Sequence, residues 1–248
     1  VLTEQVQVNE YRVNIDEKKG FFVELDTYYD EEPKFKTSTY SLPVMIKSPE
    51  DLTDPSGYDF VKNDINVLTD ALGAAEFPNN NYLDLIDAST FIDFMLVNEI
   101  VRNTEFQHPK SMYMYKKDEN SKICMGPLWD FDWGFGYAGS GNKYFNSPNE
   151  MLLKPNYTGS QIGYKYFRRF FDDPAFRQQY KARWNELKGK GALDLDSFID
   201  QMYEKLKLSQ EENFSVWKND LVYADQISKM KSWLKQRINY LDVEINKY

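Results

Sequence analysis

The sequence predicts an α+β chain in which strands come first and helices follow. Three observations carry that prediction. Apolar residues recur at roughly period two through the first fifty positions, and from about Asp59 the period becomes helical. Between two helical stretches, the run GPLWDFDWGFG (126–136) sets Asp130 and Asp132 among aromatic residues and glycines, directly after a predicted strand. With 248 residues the chain can bury a real core as one large domain or two lobes.

Taken in order, Val6, Val8, Val13 and Ile15 alternate through VLTEQVQVNEYRVNI, with an odd step near Glu10 and Tyr11 that fits a bulge. DEKKG (16–20) supplies a turn and GFFVELD a second strand, so the two strands are expected to pair as a hairpin. YSLPVMIKSP gives a third strand that stops at Pro49. Residues 1–58 therefore read as a partial, strand-rich N-terminal lobe and residues 59–248 as a mainly helical C-terminal lobe carrying the Asp130/Asp132 pair. Within the second part, Phe60, Ile65, Leu68 and Leu72 share one helical face. LDLIDASTFIDFMLVNEIVRN reads as a long apolar helix capped by Asp87, Ser89 or Thr90. SMYMYKK and ICMGPLW are strands joined by the turn KDENS, and a loop rich in Gly, Asn and Ser runs on to about residue 150, long enough to suggest a functional segment. Three helical stretches close the chain. The first is interrupted at Pro174, the second opens with Ser197 and Asp200 in capping-box spacing, and the last carries Ile227, Met230, Trp233, Leu234, Ile238 and Leu241 at helical spacing.

Composition removes several function classes. A net charge of −9 disfavours nucleic-acid binding, which is built from clustered Lys and Arg. No apolar run approaches the roughly 18 residues that a membrane helix needs. The single cysteine, Cys124, rules out an internal disulfide and a zinc site of several cysteines, and its apolar setting makes it a packing residue. The chain opens at Val1 without a leader pattern and so reads as processed or trimmed.

The chemistry concentrates at Asp130 and Asp132. On an extended segment, side chains two apart share a face. Two carboxylates on one face repel unless a cation lies between them, and hard ions such as Mg²⁺ or Mn²⁺ prefer oxygen ligands. Trp129, Phe131, Trp133 and Phe135 would wall such a site, and Gly126, Gly134 and Gly136 would let the backbone turn. A second corner is expected where the long apolar helix ends, delivering Asn98, Glu99, Asn103 and Glu105. The bland alternatives are a surface turn capped by its own aspartates, Asn103 as a helix C-cap, and Glu105 in solvent. An EF-hand, a P-loop and a GxGxxG turn are absent, and a catalytic triad would have to use His108, the only histidine, which sits in a loop before a proline. A glycosidase reading suits carboxyls about 5–9.5 Å apart across a cleft, which neighbours two apart seldom reach.

The succession TEQV (3–6), GFFVELD (20–26), LPVMIKSPED (42–51), STFIDFMLVNEIVRN (89–103), SMYMYKK (111–117) and GPLWDFDWGFG (126–136), with the tail SKMKSWLKQRINYLDVEIN (228–246), resembles the spore coat protein H (CotH) kinase family over nearly the whole chain. The resemblance implies an atypical protein-kinase-like fold, with a small lobe of strands, a helical lobe and an ATP site between them. It implies transfer of the ATP γ-phosphate to Ser or Thr of a protein substrate, with Mg²⁺ or Mn²⁺. By the same resemblance Asp130 and Asp132 hold the metal, while Asn103 and Glu105 fall on the family's N-x-D, whose acid is the catalytic base. Trp129 and Asn98 are the candidate nucleotide-binding residues. Glu105 departs from the family's Asp, and one extra methylene moves a carboxylate by about 1 Å, a misplacement that can cost about 10²-fold in rate. The competing class is a pseudokinase or cell-envelope scaffold that binds a protein or glycan without catalysis. The family implies a bacterial protein that is exported, in the cell envelope or extracellular.

Overall fold

The computed structural model describes residues 5–50, 55–139, 143–153, 159–218 and 222–248. Its sheet is built from β1 (Phe21–Leu25), β2 (Lys34–Lys36), β3 (Pro43–Ser48), β4 (Met112–Lys116) and β5 (Ile123–Met125). The strand order is β2-β3-β1-β4-β5, antiparallel throughout, so strands from either side of residue 58 share one sheet. The α+β class is as the sequence predicts.

β1 is central, and all five of its residues are buried, as a strand covered on both faces requires. Phe21, Val23 and Leu25 enter the main core under the helices, while Phe22 stacks on Tyr113 in a smaller cluster on the opposite face. This arrangement overturns the expected hairpin between residues 6–15 and β1. β3 and β4 occupy both edges of β1, so no edge is left for a further partner. The segment instead lies irregularly over the outer face, with an isolated bridge between Val8 and Val13 and with Val13 and Ile15 buried against Phe22 and Tyr113. Its first four residues lie outside the described ones. β2 was not anticipated; only Phe35 of its three residues is buried, too little to make a pattern.

The helices are α1 (Pro55–Gly73), α2 (Tyr82–Leu85), α3 (Ala88–Val101), α4 (Ile162–Arg169), α5 (Pro174–Gly189), α6 (Asp196–Trp217) and α7 (Tyr223–Ile245). Asp87 caps α3 by accepting from the Ser89 and Thr90 amides. α3 buries Phe91, Ile92, Phe94, Met95, Leu96, Asn98 and Glu99, so it is the central helix of the core. Pro174 interrupts its stretch as expected, sitting in the first turn of α5 behind the Asp173 cap. The capping box at Ser197 and Asp200 is not made: α6 starts at Asp196 with Leu195 before it, and the Asp200 carboxylate is taken by Lys231. Among the described residues no helix is long and apolar enough to cross a membrane.

Two features of this core fix the end of α3. Glu99 is fully buried and ion-paired to an equally buried Arg237 of α7, 2.6 Å away, so it is a structural group and not part of a catalytic corner. α4 meanwhile packs its Gly163 against the turn that follows α3, where a Cβ would collide with the Phe106 carbonyl. Gly163→Ala is expected to lose about 1–3 kcal/mol through overpacking and to shift the neighbouring Glu105. Thermal denaturation, paired with a Mn²⁺ titration of the variant, checks both effects.

Candidate metal centre

α3 ends at Arg102, which takes the left-handed conformation (φ 51°) and turns the chain sharply. Asn103 then caps a short 3₁₀ turn, Thr104–Gln107, its side-chain oxygen accepting from the Glu105 amide at 3.2 Å. Asn103 is thus an N-cap of the following turn and not a C-cap of α3. Behind it, Asn103 Nδ2 donates to the Asn98 side-chain oxygen at 3.2 Å, and Asn98 Nδ2 donates to the Phe94 carbonyl. Both asparagines are buried, so this chain of hydrogen bonds holds Glu105 from the core side.

The Asp loop is docked onto the same corner. The Phe135 amide donates to the Val101 carbonyl at 2.5 Å, and the Thr104 amide donates to the Trp133 carbonyl at 3.3 Å. The loop is not extended. β5 stops at Met125, Asp130 has a positive φ of 53°, and the Gly134 amide closes a turn onto the Phe131 carbonyl. The carboxylates of Asp130 and Asp132 therefore converge through a left-handed residue and a turn, not through strand alternation. Nor do the aromatics form one wall. Trp133 stands beside His108 and Tyr137, Phe135 packs on Trp233, and Trp129 joins the cluster on the outer sheet face.

Glu105, Asp130 and Asp132 each bring one carboxylate oxygen within 4.8 Å of the others. Glu105 is only 4% exposed, and its Oε2 is buried without a hydrogen-bond partner. A buried acceptor left unsatisfied is costly, and a hard cation is the ligand that three carboxylate oxygens fit. Burial first, then the charges of Asp130 and Asp132, push Glu105 up to about 7, with Lys110 opposing. Burial and Asp130 likewise raise Asp132.

Reasoning from the sequence missed Lys110 and Asp26. Lys110 Nζ lies 3.9 Å from Glu105 Oε1 and donates to the Tyr28 hydroxyl at 2.9 Å, with its charge 5.0 Å from the Trp133 ring. Asp26, buried at the end of β1, accepts from the amides of Tyr28 and Ser111 and so ties the sheet to the site. A lone lysine after a proline carries no pattern, and Asp26 read as the polar end of a strand. On the outer face of the sheet, Glu24 accepts from Tyr113 Oη at 2.9 Å and pairs with Lys47 at 2.8 Å. His108 contributes no catalytic geometry; it packs edge-on against Trp133, and burial, then Lys110, lower its basicity. The loop to residue 150 folds back, with the Phe145 amide donating to the Phe135 carbonyl, while residues 140–142 lie outside the described ones.

These electrostatics have a sign that can be measured. Folded Glu105 keeps its proton to higher pH than the unfolded chain does. Between the ordinary carboxylate value and about 7 the native state binds more protons, so stability falls as pH rises through that window. Glu105→Gln removes this loss and is expected to raise the melting temperature by roughly 2–6 °C near pH 8, with the gain shrinking toward pH 5. Melting curves of both proteins across that range check it; an equal difference at every pH would contradict the assignment.

A comparison with known protein families places the chain as a whole. The CotH kinase protein family matches residues 1–241, and the chain belongs to it. No curated protein and no solved structure matches the chain.

Proposed function

We propose that this protein is a CotH-type protein kinase that transfers the ATP γ-phosphate to Ser or Thr of a protein, using Mg²⁺ or Mn²⁺. The observation that carries the reading is the convergence of Glu105, Asp130 and Asp132 around a buried, unpartnered carboxylate oxygen. Asp130 and Asp132 would hold the metal, which when bound supplies positive charge to the nucleotide phosphates. Glu105 accepts the proton of the acceptor hydroxyl, and its raised affinity for protons places it near the operating pH of a general base. Asn103 holds the Glu105 turn, and Asn98 positions Asn103. Lys110 faces the same space and donates to an incoming phosphate oxygen. Lys47, paired with Glu24 on the sheet face two strand positions before Asp26, is the candidate for the inner phosphates. Trp129, on that face, is the candidate to contact the nucleotide. The chain acts in an exported or envelope setting, on a protein acceptor.

The test is transfer of labelled γ-phosphate to a protein acceptor with Mn²⁺ present. Glu105→Gln and Lys110→Met should each lose at least about 10²-fold, as general-base and charge-stabilising groups do. One observation favours a second reading, a non-catalytic kinase-like binding module: Glu105 stands where the family carries Asp. That reading expects metal–nucleotide binding without transfer, and Glu105→Asp would then create activity instead of lowering it.

A further inference from the structure

We propose that the far half of α6, residues 204–217, is a self-association surface that pairs antiparallel with the same segment of a second copy of this chain. α6 and α7 run antiparallel, joined by Ile199, Trp233 and Leu234 and by the ion pair between Asp200 and Lys231. α7 begins at Tyr223, and the Tyr223 ring stacks on Tyr203 with centroids 5.1 Å apart. α6 nevertheless continues to Trp217, about 21 Å beyond Tyr203 at roughly 1.5 Å per residue. Its far half therefore runs past the start of α7. The apolar stripe does not stop where that cover does. Ile199, Tyr203, Leu206, Gln210, Phe214 and Trp217 follow one another at three- and four-residue steps, one face of a helix. Ile199 is buried and Tyr203 partly so, whereas Leu206 is 50%, Phe214 47% and Trp217 74% exposed. Three large apolar side chains in one row, facing water, mark a surface that is covered by something else.

Charge and symmetry name the occupant. In a twofold antiparallel pair the same flank of each helix meets, and every contact is made twice. With the axis at Gln210, Leu206 of one copy faces Phe214 of the other, since both lie four residues from it. Gln210 then meets Gln210, and a side-chain amide that both donates and accepts pairs with its own image. Lys207 and Glu211 share one flank, a single turn apart. Both are exposed, and among the described residues neither makes an ion pair within the chain. Across the axis they come within about 3 Å of each other along the helix direction, close enough for two symmetric ion pairs. Trp217 of one copy reaches the Tyr203–Tyr223 stack of the other. A lipid surface fits worse: the segment carries three carboxylates against two lysines, and Gln210 sits in the middle of its stripe. This pairing is independent of the kinase reading.

The test is sedimentation equilibrium of the whole chain in about 0.15 M salt, which screens the repulsion expected from a net charge of −9. One short helical contact per copy predicts a monomer–dimer equilibrium with a dissociation constant of roughly 1–100 µM. Phe214→Ser should weaken it at least about tenfold, because the truncation is felt twice. Lys207→Glu sets like charges opposite each other twice and should also cost about tenfold. Adding Glu211→Lys restores complementary charge, and the double variant should return to within about threefold of wild type. All three positions are exposed, so the circular dichroism spectrum should not change; if Phe214→Ser does not fold, the charge exchange decides alone. A monomer at every concentration up to about 500 µM overturns the proposal, as does a dimer that a folded Phe214→Ser leaves intact. A dimer unmoved by Lys207→Glu, or weakened by it and not rescued by Glu211→Lys, also overturns it. So does a chain that stays monomeric while binding phosphatidylcholine vesicles, which assigns the stripe to a membrane.

Discussion

Arg237→Met is expected to lower stability by about 3–5 kcal/mol, the cost of breaking a buried ion pair and leaving its partner charged. Arg237 donates to the Glu99 carboxylate at 2.6 Å and to the Glu99 carbonyl at 2.7 and 3.1 Å. It also donates to the carbonyls of Pro148 and Glu150 at 2.9 and 2.6 Å. Glu99 in turn accepts from the amides of Leu152 and Leu153. One side chain thus joins α7, α3 and the 148–153 segment. Some buried ion pairs can be replaced by apolar residues at no loss, but this one is an unsuitable case. A Glu99→Leu/Arg237→Met double variant would orphan the Leu152 and Leu153 amides and take the Arg237 donor from the Pro148 and Glu150 carbonyls, and a buried group left unsatisfied costs about 1–3 kcal/mol. At about 2–4 °C per kcal/mol for a chain of this size, the single variant should melt roughly 6–20 °C lower. Thermal and urea denaturation followed by circular dichroism measure it; a loss below about 1 kcal/mol would show that the pair is relaxed by water.

Asp130→Asn should separate function from stability in the opposite way. Asp130 is exposed and sits at φ 53°, a conformation that asparagine tolerates as well as any side chain with a Cβ. The substitution also removes a charge that repels Asp132 and Glu105. The melting temperature should therefore stay within about 2 °C of wild type or rise slightly, since exposed substitutions away from special features stay within about 0.5 kcal/mol. Affinity for Mn²⁺ should fall at least about 100-fold, because even the outer-shell partners of metal ligands are worth about 10–100-fold. Thermal shift against Mn²⁺ reads both quantities from one set of curves. A wild-type shift that survives in Asp130→Asn would remove Asp130 from the centre.

What the sequence disclosed, and what it hid, follows from the range of the interactions. The β4–β5 hairpin, the Asp87 cap and the stop at Pro174 are local and were legible. The pairing of β1 was not, because alternation in residues 6–15 shows only that one side meets apolar surface, and an irregular segment over the outer sheet face satisfies that as well as a strand does. Asp130 and Asp132 were identified from their residue types, yet the reason they meet is a left-handed residue and a turn that periodicity does not encode. Glu105 joins them only because Asn103 caps a turn and residues 133–135 dock on the end of α3. Arg237 did leave a signal: it falls in the apolar stripe Ile227, Met230, Leu234, Leu241, where a charge calls for a buried partner. Lys110 and Asp26 left none, since their roles are set by contacts across the fold.

The central proposal is that Asp130 and Asp132 hold a metal–nucleotide complex beside the base Glu105. It is tested most directly by calorimetric titration of Mg-ATP into the wild-type chain and into Asp130→Asn, with a third titration of ATP in the presence of a chelator. The expected result is one saturable site in wild type that vanishes both in Asp130→Asn and when the metal is withheld. Heat of binding that is the same in all three titrations, or none in wild type, would contradict it.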